Sequence, residues 1–251
     1  MNNPTTKPSI TIITVVFNGV NLIEKTIQSV VCQTYPLQYI VVDGASNDGT
    51  MDIVRRYDSQ ISVSVSAKDD GIYDAMNKGV ALSDGDWVCF LNCGDVFTDE
   101  HVVAKVAGNI ALHNNPDILY GDIFTRNSNG ELRLKSAKEP CNLHRMYFCH
   151  QASFSKRTLL EAYPFDIKHR LSADFKFFKE CFYRKCIFVH IHHPLVVYDM
   201  SGISNTHREA GIRDNIAVIK SVDKYPSKFL FLLRLYFVIY WGKMRVKKNH
   251  H

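Results

Sequence analysis

Two carboxylates, an amide and an ammonium group lie close together in the segment DGIYDAMNKG, residues 70–79. Asp70 and Asp74 are four residues apart, and Asn77 and Lys78 come shortly after them. On a helix, Asp74 and Lys78 would form a surface ion pair of about 0.3 kcal/mol, and Asp70 could cap the first turn. The alternative is that this polar helix borders a ligand pocket.

Three further polar clusters follow apolar runs that are typical of buried strands. The runs are residues 10–18, 38–44 and 85–95, and the clusters begin near their ends, at Asn18, Asp43 and Asn92. A carboxylate at a strand end is costly to bury unless it meets a donor or a cation. Asp43 is suited to accept hydrogen bonds from the NH groups and ribose hydroxyls of a nucleotide. Asn92 and Asp95 offer the oxygen ligands that Mg²⁺ or Mn²⁺ prefers.

Alternating strands and helices are predicted over the first hundred residues, and they would bring these clusters together. The apolar periodicity indicates helices over residues 21–33 and 50–58 and a strand over 61–67. Such alternation predicts a doubly wound, mostly parallel sheet, in which ligands bind at the carboxyl ends of the strands. Taken singly, each polar residue is more simply a turn or cap residue; four clusters in strand-end register favour a shared site.

The pattern loosens after residue 100, although further elements are indicated. They are a helix at about 100–113, a hairpin of strands at 117–126 and 131–136, helices at 155–163 and 172–184, and one or two strands over 186–198. No linker divides the body. A chain of 251 residues suits one large domain, which we assign to residues 1–223.

The formal charge of +5 is concentrated at the carboxyl terminus. Residues 224–251 hold seven Lys and Arg and no acid, whereas residues 1–223 hold 23 basic against 25 acidic residues. The body therefore has no excess of positive charge, and no nucleic-acid partner is expected. Seven cysteines without a CxxC pair indicate reduced thiols in a cytoplasmic protein, and the first ten residues lack the features of a secretory signal.

The tail, residues 224–251, contains an apolar and aromatic run at 229–241 that is interrupted only by Arg234. Thirteen residues are too few to cross a bilayer, which needs about 20. Basic residues beside Tyr236, Tyr240 and Trp241 are typical of a helix lying on an anionic membrane surface. The alternative is a terminal helix packed on the body with its basic end in water.

The ordered segments TIITVVFN, IVVDGASNDGT, DGIYDAMNKG and FLNCGD resemble the successive motifs of family 2 glycosyltransferases. HQASF (150–154) and PFDIKHRLSADFKFF (164–178) extend the resemblance to about two thirds of the chain. The resemblance implies the GT-A fold, a Rossmann-like α/β domain that binds a nucleotide sugar. It also implies a donor-binding part at about 9–98 and an acceptor-binding part at about 99–223.

The resemblance also assigns roles to positions that match the family motifs. Asp174 would be the catalytic base of an inverting enzyme, and Asp95 would be the carboxylate next to a divalent cation, Mg²⁺ or Mn²⁺. His150, Gln151 and Arg170 would lie on the acceptor or diphosphate side. The residues lining the nucleotide-sugar pocket would be Val16, Asn18, Asp43, Asp70, Asn77, Lys78 and Asn92. For Asp74 we retain the surface ion pair.

The chain departs from the family pattern at the metal motif, where Asn92-Cys93-Gly94-Asp95 contains one carboxylate. One carboxylate can hold Mg²⁺, since this ion keeps waters and takes ligands from phosphates, so a cation is expected but strict dependence on it is not. His190 and His192 share a strand face and could bind zinc, but the sequence offers no third ligand nearby, so a satisfied structural role is preferred. Asp122 is a second candidate carboxylate near the acceptor.

The predicted function is that of an inverting glycosyltransferase of bacterial surface polysaccharide synthesis, either exopolysaccharide or O-antigen. It would transfer a sugar from a nucleoside diphosphate to a lipid-linked or oligosaccharide acceptor, bound peripherally at the cytoplasmic face of the inner membrane. The alternative is a sugar-nucleotide-binding regulator of the same fold without turnover. The sequence does not predict the donor sugar, the nucleotide, the acceptor or the oligomeric state.

Overall fold

The computed structural model describes residues 7–126, 130–199 and 208–248 of the chain. Every helix and strand expected from the sequence occurs there, most of them a few residues shorter than predicted. The hairpin connection NSNG lies mostly outside the described residues. The seven cysteines are free thiols.

The amino-terminal half alternates strands with helices, as predicted. Its strands are β1 (Ile10–Val16), β2 (Gln38–Asp43), β3 (Val63–Ser66), β4 (Trp87–Phe90) and β5 (Val96–Phe97). Its helices are α1 (Ile23–Val31), α2 (Thr50–Arg55), α3 (Ile72–Ala81) and α4 (Val102–Leu112).

The remainder of the chain adds strands, a short 3₁₀ helix and four α-helices. The strands are β6 (Ile118–Arg126), β7 (Leu132–Lys135), β8 (Ser153–Lys156) and β9 (Phe188–Tyr198). The 3₁₀ helix is His150–Ala152, and the α-helices are α5 (Arg157–Ala162), α6 (Ala173–Tyr183), α7 (Arg208–Val222) and α8 (Ser227–Lys248).

The nine strands of the described residues belong to one sheet, in the order β3-β2-β1-β4-β8-β6-β9-β5, with β7 beside β6. The pairs among β1, β2, β3 and β4 are parallel, as is β6 with β9. The pairs that involve β5, β7 or β8 are antiparallel. The predicted α/β class is confirmed, but β8 was not expected, and its insertion between β4 and β6 makes the second half of the sheet mixed.

The sheet is packed on both faces because its strands alternate side chains between them. On β1, Ile12 packs with α1, while Ile13 and its neighbours pack with α3, where Met76 is fully buried. Gly79 of α3 lies so close to β1 that an added Cβ would stand 2.5 Å from the Ile13 side chain. This close contact holds the carboxyl-terminal half of α3 against the middle of β1.

The two carboxyl-terminal helices pack against α6. Phe175 of α6, Ile219 of α7 and Leu235 of α8 are buried in one apolar cluster. The other sides of α8 leave large apolar groups in solvent, and Phe237, Tyr240 and Trp241 are 60%, 62% and 51% exposed. The tail thus combines features of both alternatives. Within the described residues, no helix is both long and apolar enough to cross a bilayer.

Candidate functional site

The carboxyl ends of β1 and β2 are tied together by side chains of the first two polar clusters. The Asn18 backbone amide donates to Ser46 Oγ at 2.7 Å, and Asn18 Oδ1 accepts the backbone amide of Asn47 at 3.1 Å. Asn18 has φ 50°, in the left-handed region that asparagine tolerates. Val16 is buried and its carbonyl accepts the Gly44 amide at 2.9 Å, so it shapes this edge through its backbone.

Asp43 is fully buried at the end of β2. Its Oδ2 accepts the Ser66 hydroxyl at 2.6 Å and the Ser46 amide at 3.0 Å, and Oδ1 accepts the Ser46 hydroxyl. These donors offset the cost of burying a carboxylate. Because both of its oxygens accept hydrogen bonds from the chain itself, Asp43 holds Ser46 and Ser66 in place at the carboxyl ends of β2 and β3.

Helix α3 begins at Ile72 after Gly71, whose φ of 116° lies in a region that favours glycine. The expected cap by Asp70 is wrong: no side chain caps this helix, and Asp70 is exposed. Instead the Asp70 amide donates to Asp74 Oδ2 at 3.1 Å. The ion pair of Asp74 with Lys78 is present at 2.8 Å, and it lowers the pKa of Asp74.

Asn77 joins α3 to a distant segment. Its Nδ2 donates to the Phe165 carbonyl at 2.9 Å, and its Oδ1 accepts the Phe165 amide at 3.0 Å. Lys78 donates to the Lys68 carbonyl at 3.1 Å in addition to its ion pair. Asn77 therefore holds α3 against a distant segment of the fold. Asp70 and Lys78 remain at the surface near β3.

Asn92 and Asp95 lie in the loop that follows β4. Asn92 Nδ2 lies 3.4 Å from His150 Nε2, while Asn92 Oδ1 is buried and has no hydrogen-bond partner within the described residues. Asp95 is buried, which raises its pKa to about 7, and its Oδ1 accepts the Asp199 amide at 2.7 Å. A buried carboxylate with a raised pKa beside an orphaned amide oxygen fits a cation that would supply positive charge to both.

A second carboxylate reaches this loop from the end of β9. A Cβ added to Gly94 would stand 2.8 Å from Asp199 Oδ2, and Lys25 of α1 lies 3.5 Å from the same oxygen. The sequence analysis missed Asp199, which is 104 residues from Asp95. Its only signal is its position directly after an apolar strand. The donor set that could face a cation therefore contains two carboxylates and not one.

Asp174 lies in the first turn of α6, where the helix dipole favours a negative charge. Its Oδ2 lies 2.9 Å from His150 Nδ1, and its Oδ1 accepts the Tyr73 hydroxyl and the Phe175 amide, both at 2.8 Å. Burial opposes ionisation, but the bonds and charge from His150, and then the bond from Tyr73, outweigh it, so the pKa of Asp174 lies below its usual value. Asp174 is thus a carboxylate at neutral pH.

His150 links the two halves of the site. The 3₁₀ helix that begins with it packs against β4, β6 and β9, so its ring stands between Asp174 of α6 and Asn92 after β4. Gln151 is buried and its Oε1 accepts the Cys149 thiol at 2.8 Å. Arg170 is exposed on a segment that Asp214 anchors on either side, through His169 and the Leu171 amide, both at 2.8 Å.

Of the predicted site residues, Asn92, His150 and Asp174 form one connected group, to which Tyr73 adds. Val16, Asn18 and Asp43 form a second group at the ends of β1 and β2, while Asp70 lies just before α3 and Lys78 in its last turn. Asn77 and Gln151 are engaged in bonds that hold the fold. The arrangement offers a largely buried, ionised carboxylate on one side and an oxygen-rich loop on the other.

The fold is a mixed α/β domain with polar residues at the carboxyl ends of its parallel strands, and its solved neighbours are GT-A glycosyltransferases. The structure of S. aureus TarS residues 1–349 in complex with UDP-GlcNAc has a TM-score of 0.69 and 16% identity, with 91% of this chain and 71% of that one covered. The Pyrobaculum calidifontis mannosyltransferase PcManGT, in complex with GDP-Man and Mn²⁺, has a TM-score of 0.68 and 18% identity, over 93% and 70%.

The model of glycosyl transferase family 2 matches residues 11–182, and the chain belongs to this family of glycosyltransferases. A PGL/p-HBAD biosynthesis glycosyltransferase of Mycobacterium bovis is 30% identical, over 95% of this chain and 99% of its own. The putative teichuronic acid biosynthesis glycosyltransferase TuaG of Bacillus subtilis is 37% identical over 36% of this chain and 37% of its own. The resemblance that the sequence motifs indicated is confirmed.

Proposed function

We propose that the protein is an inverting glycosyltransferase that uses Asp174 as its catalytic base. The observation that carries this proposal is the environment of Asp174, a largely buried carboxylate that His150 and Tyr73 hold in one orientation. A sugar hydroxyl is a poor nucleophile, so a fixed carboxylate must take its proton during attack. The acceptor oxygen then bonds to the anomeric carbon, the bond from that carbon to the diphosphate breaks, and the proton goes to Asp174.

The donor is a nucleoside diphosphate sugar in this proposal. TarS and PcManGT, which share the fold, have been solved with UDP-GlcNAc and GDP-Man. Asn18 and Asp70 are exposed at the carboxyl ends of β1 and β3, where ligands of doubly wound sheets bind. Val16 and Asp43 would form the floor beneath the nucleotide, and Lys78 would neutralise phosphate charge. Asn77 would act indirectly, by holding α3 in position.

A divalent cation would bind at the loop after β4. The oxygens of Asn92, Asp95 and Asp199 are the ligand type that Mg²⁺ and Mn²⁺ prefer. When bound, such an ion would stabilise the charge that builds up on the leaving diphosphate. The chain itself contributes the carboxylates, and Lys25 counters part of the charge of Asp199.

The acceptor would be a lipid-linked or oligosaccharide molecule of bacterial surface polysaccharide synthesis. Relatives named for PGL/p-HBAD and teichuronic acid biosynthesis support this class of product. Helix α8 supports a location at the cytoplasmic face of the inner membrane, because Leu230, Leu233 and Phe237 are 59%, 59% and 60% exposed. The seven basic residues of the tail would favour anionic lipids.

The decisive experiment compares Asp174→Asn with the wild-type enzyme. Donor binding is measured by calorimetry with UDP-, GDP- and dTDP-sugars in the presence of Mn²⁺, and turnover is measured with synthetic lipid-linked sugars. Asp174→Asn should lower transfer by about 100-fold or more and leave donor affinity within about threefold. Asp86→Asn is the matched control, since Asp86 is exposed at the opposite end of β4 and bonds to Ser9.

Turnover by Asp174→Asn at the wild-type rate would rule out Asp174 as the base. A wild-type protein that binds a nucleotide sugar but never transfers it would favour the regulator over the enzyme. A protein that binds none of these donors would contradict the proposed pocket.

A further inference from the structure

A group of metal-binding side chains lies outside the site described above. Glu139, His190 and His192 bring one potential ligand atom each to within 4.8 Å of one another. Glu139 comes from the segment after β7, and the two histidines come from β9. The sequence offered the histidine pair but no third ligand, because Glu139 is 51 residues before His190. We propose that these three residues bind a divalent transition-metal ion of the Zn²⁺ class.

The strand geometry brings His192 beside His190. Gly121 of β6 pairs with Ile191, but the next residue, Asp122, pairs with Pro194, so His192 and His193 are left over in a bulge of β9. Bulges commonly redirect a side chain at a functional site. Here the rings of His190 and His192 lie 4.0 Å apart between centroids.

Asp122 sets the orientation of His190. His190 Nε2 lies 3.0 Å from Asp122 Oδ1, which also accepts the Ala137 amide at 2.8 Å. Because an ionised carboxylate only accepts hydrogen bonds, Nε2 carries the proton, and in the neutral ring Nδ1 has a free lone pair. A carboxylate behind a histidine is the arrangement that typically supports a metal-ligating imidazole. His190 Nδ1 lies 3.6 Å from Glu139 Oε1.

Tyr120 contacts two of the proposed ligands, His190 and Glu139. Its ring stacks on His190 with centroids 4.8 Å apart and an interplanar angle of 5°, and its hydroxyl donates to Glu139 Oε2 at 3.2 Å. Glu139 Oε1 is therefore left to face the ion. The orientation of His190 is fixed by packing on one side and by Asp122 on the other, before any metal binds.

The size and charge of the group suit a divalent ion. Ligands on a tetrahedral Zn²⁺ at 2.0–2.1 Å are roughly 3.3 Å apart, so a small inward movement from the present separations would complete the site. Two neutral imidazoles with the carboxylates of Glu139 and Asp122 carry a charge that a divalent ion neutralises. Imidazole with carboxylate suits Zn²⁺ better than Mg²⁺. Glu139 and His192 are exposed, so the fourth position is open to water or to a ligand.

This site is distinct from the proposed donor site. Cys89 of β4 and Leu119 of β6 both pair with Phe154 of β8, so Asp122 and Asn92 are at the same level of the sheet and two strands apart. That separation is roughly 10 Å across the sheet. A bound ion would fasten the segment around Glu139 to β9, within the part of the chain expected to bind the acceptor.

The test is calorimetric titration of chelator-treated full-length protein with Zn²⁺, in excess Mg²⁺ to occupy sites for hard cations. His250 and His251 are replaced by alanine throughout, because they are a competing pair of ligands. We expect one Zn²⁺ per chain, with affinity about tenfold or more lower in His192→Ala, Glu139→Gln and Asp122→Asn. His193→Ala, in the same bulge but 3.9 Å from Asp99, is the matched control and should bind normally.

Zn²⁺ binding should also survive in Asp95→Asn, which separates this site from the donor site. Thermal melting without metal checks that each variant is folded. If Asp122→Asn does not fold, Glu139→Gln still tests the proposal, because Glu139 is exposed and its replacement should leave the fold intact. Absence of binding to the wild-type protein, or equal affinity in His192→Ala and His193→Ala, would overturn the proposal.

Discussion

His150 Nδ1 lies 2.9 Å from Asp174 Oδ2, and this contact joins the 3₁₀ helix to α6 at the centre of the site. Since the ionised Asp174 can only accept, the His150 ring donates to it through Nδ1, and Nε2 of the same ring lies 3.4 Å from Asn92 Nδ2. One imidazole therefore orients the proposed base and at the same time contacts the loop that would hold the cation. The two halves of the site are positioned by the same side chain.

His150→Ala should raise the pKa of Asp174 and reduce transfer. Burial favours the protonated carboxyl, and His150 is the largest influence that lowers the pKa of Asp174 below its usual value. In the wild type, Asp174 is ionised throughout the neutral range, so transfer should show no Asp174-linked loss down to pH 5. In the variant, the hydrogen-bond donors that remain around Asp174 offset less of the increase in pKa that burial causes. The acid limb of kcat/KM should therefore move to higher pH. Transfer rates measured across pH with saturating donor test this.

His113→Ala is the control, since His113 is exposed at the end of α4 and bonds only locally to Asn109. Its pH profile should match that of the wild type. An unchanged acid limb in His150→Ala would mean that His150 does not govern the ionisation of Asp174.

The first half of the fold was predictable because its signals are local. Runs such as ITIITVV in β1 are β-branched, fully buried and followed by turn residues, so their ends coincide with the polar clusters. β8 was missed because it has only four residues, SFSK, and no alternation to identify it. Its place between β4 and β6 depends on contacts with residues more than 30 positions away.

The candidate site was predictable to the extent that its residues follow strands. Asn92, Asp95 and Asp174 were found because of their positions and family motifs. The bond of Asn77 to Phe165 spans 88 residues, and that of Asp95 to Asp199 spans 104. Such pairings depend on how the elements pack, which the sequence pattern does not encode. The cap expected from Asp70 failed for a local reason: Gly71 occupies the N-cap position of α3, and Asp74 accepts the Asp70 backbone amide instead.

Asp95→Asn should weaken cation-dependent donor binding by about tenfold or more, because it removes a charged oxygen ligand. Donor affinity is measured by calorimetry with and without Mn²⁺, and the ratio of the two affinities is the quantity of interest. In Asp95→Asn this ratio should approach one. Asp99→Asn, an exposed change four residues away, should leave the ratio unchanged. A normal ratio in Asp95→Asn would exclude Asp95 as a ligand.

The buried ion pair of Lys179 and Asp223 couples α6 to the carboxyl-terminal helices. Lys179 Nζ lies 3.0 Å from Asp223 Oδ2, outside hydrogen-bond geometry, and it donates to Asn142 and to the Leu143 carbonyl at 2.8 and 2.7 Å. Burial lowers the pKa of Lys179, and Phe231 of α8 lies beneath the ammonium, 5.0 Å from ring centroid to Nζ.

Lys179→Met should reduce the free energy of unfolding by about 3–5 kcal/mol, since it leaves Asp223 buried without its cation. Lys179→Met combined with Asp223→Leu should recover much of that loss, because no uncompensated charge remains. Urea denaturation of the single and double variants measures both values. A double variant whose loss equals the sum of the two single losses would contradict coupling through the pair.

The exposed face of α8 should bind anionic membranes, and replacing its aromatic groups should abolish that binding. Phe237, Tyr240 and Trp241 are more than half exposed, and the first and last of these rings stack at 5.7 Å between centroids. The combination of Phe237→Ser and Trp241→Ser removes apolar surface that the membrane interface would otherwise bury. Partitioning to vesicles should therefore fall about tenfold or more. Sedimentation with phosphatidylglycerol vesicles measures it, with phosphatidylcholine vesicles as the neutral comparison.

Leu112→Ser is the matched control, because Leu112 is 82% exposed on α4 and far from the basic tail in sequence. It should partition like the wild type. High salt should weaken wild-type binding to phosphatidylglycerol, since the attraction to the seven basic residues of the tail is screened. The wild type could instead bind neither kind of vesicle and elute as a dimer, with the double variant eluting as a monomer. That result would mean that the exposed face of α8 binds a second copy of the chain and not a membrane.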